Sequence, residues 1–182
     1  MDNKIKKTRK QLLWGGMAGI GMFFAGLTSA YIVRKAEGNW DLFELPSAFW
    51  YSTIVIVLSS LLLILSVTRL KKQKPISQLI FIVFMLGLVF TFFQFRGWQS
   101  LVEQGIYFTG EGSNPSGSFL YVLTVAHLVH VLGGLIAILV TLINANAGRY
   151  SSSNYLGLEL TSIYWHFMGF LWIYLFFFMK YL

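Results

Sequence analysis

Apolar residues in this chain come in long unbroken blocks, not in alternation with polar ones. Five blocks are long enough to cross a bilayer core of roughly 30 Å, which takes about 20 helical residues. They run from about Gln11 to Val33, Ser47 to Thr68, Pro75 to Phe95, Ser118 to Ala145 and Leu158 to Met179. The pattern predicts an all-α integral membrane protein with five transmembrane helices in a single domain over residues 1–182. Pro75 is expected in the first turn of the third helix, where its missing N–H costs nothing. Pro46 lies just before the second. The first block is read as a spanning helix and not a cleaved signal peptide: it is long for an h-region, and Arg34 and Lys35 follow it directly.

Composition sharpens this. Of 182 residues, 56% are hydrophobic and only 12% charged, about half the charge of an ordinary soluble domain. Cysteine is absent, so disulfides, thiolate catalysis and sulfur-ligated metals are excluded. The net charge of +7 does not point to nucleic acid, because the basic residues sit beside the apolar blocks. Lys4, Lys6, Lys7, Arg9, Lys10, Arg69, Lys71, Lys72, Lys74 and Arg149 would fall on one side of a five-span chain; Arg34, Lys35, Arg96 and Lys180 would fall on the other. The positive-inside rule then gives an N-in, C-out topology. Trp40, Trp50, Trp98, Tyr107 and Tyr181 are expected at the outer interface, where amphipathic rings settle.

Two features concern helix packing. In the first block Gly15 and Gly19, and Gly21, Ala25 and Ser29, recur every four residues. Such stripes let two helix backbones approach closely, within this subunit or against a partner. The third block is bulky apart from Gly87, which suits lipid or a loosely packed neighbour.

Polar residues at membrane depth are the candidate functional groups. They are His127 and His130 in the fourth block, His166 and Glu159 in the fifth, and Gln94 near the outer end of the third. His127 and His130 are three residues apart and share a helix face. At 1.5 Å per residue His130 lies roughly 18 Å in from the outer end of its span, and His166 roughly 12 Å from the inner end of its own. The two depths coincide, so His166 is expected to link the fifth span to His130 or a nearby carbonyl of the fourth. Histidines can also ligate metal or haem. Here no neighbouring thiolate or carboxylate completes such a centre, and interhelical hydrogen bonding is the favoured role. No catalytic residue and no metal site is expected. A proton path would need a longer relay of acids and histidines, and the first three spans contain no buried acid. Inverted repeats are not evident either, which argues against a free-standing transporter.

Several segments, in order, resemble one family. These are "MFFAGLTSAY" from Met22, "LGLVFTFFQ" from Leu86, "GSFLYVLTVAHLVHVLGG" from Gly117 and "GLELTSIYWHFMGFLW" from Gly157. Together they resemble subunit III of the haem-copper respiratory oxidases, the cytochrome c oxidase subunit III family, in its short five-helix form. The resemblance implies a non-catalytic accessory subunit of a proton-pumping terminal oxidase in a bacterial inner membrane. It implies packing beside oxidase subunit I, other subunits or a larger supercomplex as partners, phospholipid between the helices, and haem and copper held by partner subunits. Quinol oxidases and nitric oxide reductases use related subunits, so the electron donor stays open. The chain departs from the family at three positions that are commonly acidic: Ile20, Gly97 and Gly169.

Overall fold

The computed structural model describes residues 3–151 and 154–182. It contains five α-helices: α1 (Asn3–Ala36), α2 (Ser47–Lys71), α3 (Ser77–Glu103), α4 (Pro115–Asn146) and α5 (Leu156–Tyr181). All five are long and apolar enough to cross a membrane. Each coincides with its expected block and mostly overshoots it. The basic tail extends α1 back to Asn3, and α3 runs past Phe95 to Glu103. Pro75 is a correction: it precedes α3, which opens at Ser77. The proline at the first helical position is Pro115, preceded by Asn114, whose Oδ1 accepts from the Ser116 backbone N–H at 3.0 Å.

Helix ends follow local chemistry. After α3, Gly105 adopts φ +77° while the Ile106 N–H reaches back to the Leu101 carbonyl at 2.9 Å. After α4, Gly148 at φ +65° lets the Arg149 N–H reach the Asn144 carbonyl at 3.0 Å. Both are left-handed caps that satisfy last-turn carbonyls, and glycine takes that backbone without a Cβ clash.

Helices α2 to α5 form a closed ring, each packed against the next and α5 back against α2; α1 lies outside the ring against α4 and α5. The ring has a seven-residue logic. In α2 the buried positions are Phe49, Ser52, Ile56, Ser59, Leu63, Ser66 and Leu70. In α3 they include Ile80, Val83, Gly87, Phe90, Gln94, Gly97 and Leu101. Both series alternate steps of three and four, the spacing of a left-handed coiled-coil seam. Every second knob of α2 is a serine, so the helix backbones can come close. Glycine completes the fit. A Cβ on Gly87 would meet Leu135 at 2.6 Å and Trp165 at 3.0 Å, and one on Gly97 would lie within 3.0 Å of three atoms of the Phe49 ring. The expectation that α3 meets only lipid or a loose neighbour is thus corrected: its bulky residues largely face outward, and its seam is tightly packed.

The small-residue stripe of α1 also behaves differently from its within-subunit reading. Met17, Phe24, Thr28 and Tyr31 are the residues that α1 buries. Gly15, Gly19, Ala25 and Ser29 are exposed and Gly21 half-exposed. Nothing lies within 4 Å of a Cβ placed on Gly15, Gly19 or Gly21.

Candidate polar sites in the helix core

One device recurs where helices meet. A serine or threonine hydroxyl donates to a carbonyl one turn back in its own helix, which leaves its lone pairs free for a donor from a neighbouring helix. Ser59 donates to the Ile56 carbonyl at 2.7 Å and accepts from the Trp165 indole N–H at 2.9 Å. Thr53 donates to Phe49 at 2.7 Å and accepts from Trp172 at 2.9 Å. Thr124 donates to Leu120 at 2.8 Å and accepts from Trp98 at 2.9 Å. Thr28 donates to Phe24 and accepts from the Tyr174 hydroxyl at 3.1 Å, which fastens α1 to α5. A lone hydroxyl in hydrocarbon would be costly; here each one is satisfied and at the same time orients an aromatic ring. Trp98, near the C-terminal end of α3, is half-buried and clasps α3 to α4 through this bond. Trp50, Tyr107 and Tyr181 are exposed, and Trp40 packs edge-on against Tyr31 with ring centres 4.6 Å apart.

The candidate polar residues fall into three places. At the end of the bundle near the N-terminus, Glu159 accepts from Lys10 Nζ at 2.6 Å, joining α5 to α1. Both side chains are about a third exposed, 39% and 32%, so this pair contributes at most about 1 kcal/mol.

In the middle third lie His130 and His166, which do not bond to each other. His130 Nδ1 is 2.7 Å from the Ala126 carbonyl, and its ring packs near Phe23 and Phe24 of α1. His166 Nε2 is 3.1 Å from Ser162 Oγ of its own helix. The expected α5–α4 link exists, but Tyr164 makes it: its hydroxyl donates to the His130 carbonyl at 3.0 Å. Matching depths identifies the level of the contact; helix rotation, which depth does not encode, brings the tyrosine to that carbonyl. Interhelical hydrogen bonds in membranes are worth about 0.6 kcal/mol on average and up to about 2. Tyr164→Phe is expected to destabilise the subunit by that amount, and His166→Phe by less, since it removes only a bond within one helix. Thermal unfolding of the two purified variants checks the order; a larger loss for His166→Phe would contradict it.

Deeper still is His127, fully buried at the junction of four helices. Its ring stacks on Trp172 of α5, with centres 5.2 Å apart and planes 28° apart. Phe90 of α3 and Phe24 of α1 approach it edge-on at 6.0 and 6.3 Å. Gln94 is equally buried and donates to Ser52 Oγ at 3.1 Å. Among the described residues no three His, Cys, Asp or Glu side chains gather into a group able to hold a metal ion.

The three departures from the acidic pattern are packing positions. Gly97 receives the Phe49 ring, and a Cβ placed on Gly169 would lie 3.2 Å from Ser60 Oγ and 3.5 Å from Ile56. Ile20 packs against the core from α1. Sequence reasoning misses the serines of α2, Ser52, Ser59 and Ser66. Their strict seven-residue recurrence is the signal that could find them.

Comparison with known proteins agrees with this architecture. The family described as Cytochrome c oxidase subunit III matches residues 41–182, which takes in α2 to α5. The chain is 33% identical over 162 residues to "Probable cytochrome c oxidase subunit 3" of Nocardia farcinica, covering 85% of this chain and 78% of the relative. It is 28% identical over 173 residues to "Cytochrome c oxidase subunit 3" of Bacillus sp. strain PS3, covering 90% and 80%. "Probable quinol oxidase subunit 3" of Staphylococcus saprophyticus is 30% identical over 138 residues, covering 75% and 67%. With five apolar helices in a ring of four plus one, and a family match across that whole ring, the chain belongs to the cytochrome c oxidase subunit III family and is an accessory subunit of a haem-copper oxidase.

Proposed function

We propose that the chain acts as a stabilising scaffold beside the catalytic subunit I of a proton-pumping oxidase in a bacterial inner membrane. In this role it holds phospholipid against its helices and carries no redox centre of its own. The observation that carries this reading is the use made of the polar core. Hydroxyls, indoles and a tyrosine join helices to one another, and the commonly acidic positions are filled by close packing. Haem and copper chemistry then belongs to partner subunits. Relatives named for cytochrome c and for quinol oxidases both fit such a scaffold, because the donor docks elsewhere.

The outward face of α1 is the partner surface we favour. It presents Gly15, Ala18, Gly19, Ala25, Gly26 and Ser29 outward, and small residues let a second transmembrane helix approach closely. Ala25→Leu is expected to weaken retention of the chain in the complex while leaving its own folding intact, since residue 25 is exposed in the subunit. Unchanged retention would make the face a lipid surface. Orientation follows the basic residues: with ten of the fourteen lysines and arginines on one side, the C-terminus faces outward. A reporter fused after Leu182 should be active only in the periplasm; cytoplasmic activity would reverse the assignment.

Affinity purification of the tagged chain in mild detergent, followed by mass spectrometry, tests the proposal as a whole. A haem-copper subunit I should be recovered in stoichiometric amount. Recovery of the chain alone, or with haem bound to it after separation, would refute the scaffold reading.

A further inference from the structure

Among the described residues, two bury side-chain polar atoms that have no hydrogen-bond partner. Gln94 uses its Nε2 on Ser52, but its Oε1 is buried and has no hydrogen-bond partner among the described residues. Both ring nitrogens of His127 are in the same position. Gln94 and His127 are both 0% exposed, so neither can turn to water outside the bundle or to lipid headgroups. Leaving such groups unpaired is costly, and native interiors satisfy nearly all of them.

By register the two residues lie at about the same level of the bundle. The Trp98–Thr124 hydrogen bond fixes the antiparallel register of α3 against α4. From that bond Gln94 is four residues further in along α3, and His127 three residues further in along α4, so each lies about one helical turn deeper. Trp172 joins the two sides. Its ring stacks on His127, touches Phe90 and Phe49 edge-on at 5.4 and 5.8 Å, and its N–H bonds to Thr53, the residue after Ser52.

We propose that Gln94 and His127 form the binding site of a single buried water molecule that bridges α3 and α4. The chemistry selects water over an ion. A neutral imidazole offers one donor and one acceptor, and the carboxamide oxygen is an acceptor only. No carboxylate takes part to balance a cation, and no lysine or arginine to balance an anion. Water carries two donors and two acceptors, and buried waters usually join two to four otherwise unsatisfied polar groups. Donating to Gln94 Oε1 and pairing with one His127 ring nitrogen, it would satisfy two of the three orphaned atoms and hold the imidazole flat against Trp172. It completes the Ser52–Gln94 link into a polar bridge from α2 through α3 to α4.

A density map of the intact oxidase, fine enough to show ordered water, tests this on the unmodified protein. The expected result is a peak within about 2.7–3.2 Å of both Gln94 Oε1 and a ring nitrogen of His127. Gln94 bonded directly to the imidazole, or no peak between them, would overturn the proposal. A second measurement uses Gln94→Leu, His127→Leu and the double variant in the assembled complex. Each single substitution should shorten the thermal half-life several-fold, because it leaves the other group unpaired. The double variant should lose no more than the worse single. Losses that multiply independently would show that no shared bridge exists.

Discussion

Replacing Trp165 with alanine should destabilise the subunit by about 3–5 kcal/mol, the range for deleting a fully buried large aromatic side chain. The indole is 0% exposed and lies where α2, α3, α4 and α5 converge. Its N–H is held by Ser59 of α2, and its ring fills the space left by Gly87 of α3 and Gly134 of α4. The hydrophobic effect does not drive helices together in lipid, so packing and hydrogen bonds carry the association, and this residue supplies both. Truncation removes the ring and leaves the Ser59 lone pair unused. Thermal unfolding of the purified variant would show it; a loss under about 1 kcal/mol would mean that the ring is not seated as described.

A comparable loss should come from the opposite change at the same junction. Gly87→Leu adds side-chain atoms where even a Cβ would come 2.6 Å from Leu135 and 3.0 Å from Trp165. Overpacking of this kind costs about 1–3 kcal/mol and sometimes more. Here the neighbours are themselves locked, Trp165 by its bond to Ser59, so the upper end is expected. Gly21→Leu serves as the control, because nothing lies within 4 Å of a Cβ at residue 21. The two leucine variants should therefore separate clearly in unfolding temperature. Equal behaviour would remove the argument that α3 is built for close approach.

The helices are legible in the sequence because hydrophobic length sets their apolar part: each apolar block falls on a helix of the structure, while the polar ends, such as Asn3 to Lys10 in α1 and Arg96 to Glu103 in α3, extend beyond it. The family, too, is legible from ordered motifs. Which face of each helix points inward is harder to read. In a soluble protein polar residues mark the outside, but here the outside is lipid and is apolar as well. Phe81, Phe92 and Phe95 of α3 are exposed, while Phe90 is buried, and bulk does not distinguish them. The polar residues are the better guide, since Ser52, Ser59, Gln94, Thr124 and His127 are all buried. The seven-residue recurrence of serine in α2 is enough to place that seam. Partner choice at His166 is not legible, because a rotation of one helix about its axis exchanges Tyr164 for His166 without altering any depth. The glycines of α1 mislead in a related way: a small-residue stripe reports room for a close contact but not whether the contacting helix belongs to the same chain.

The proposed scaffold role makes this chain a support for catalysis and not a part of it. The most direct measurement compares the purified oxidase with and without this subunit, following oxygen consumption from the first turnovers to inactivation alongside the haem spectrum. A scaffold role predicts an unchanged spectrum, an initial rate close to that of the complete complex, and a shorter active lifetime once the subunit is removed. Loss of haem, or an initial rate that falls away with the subunit while the catalytic subunit stays intact, would contradict it.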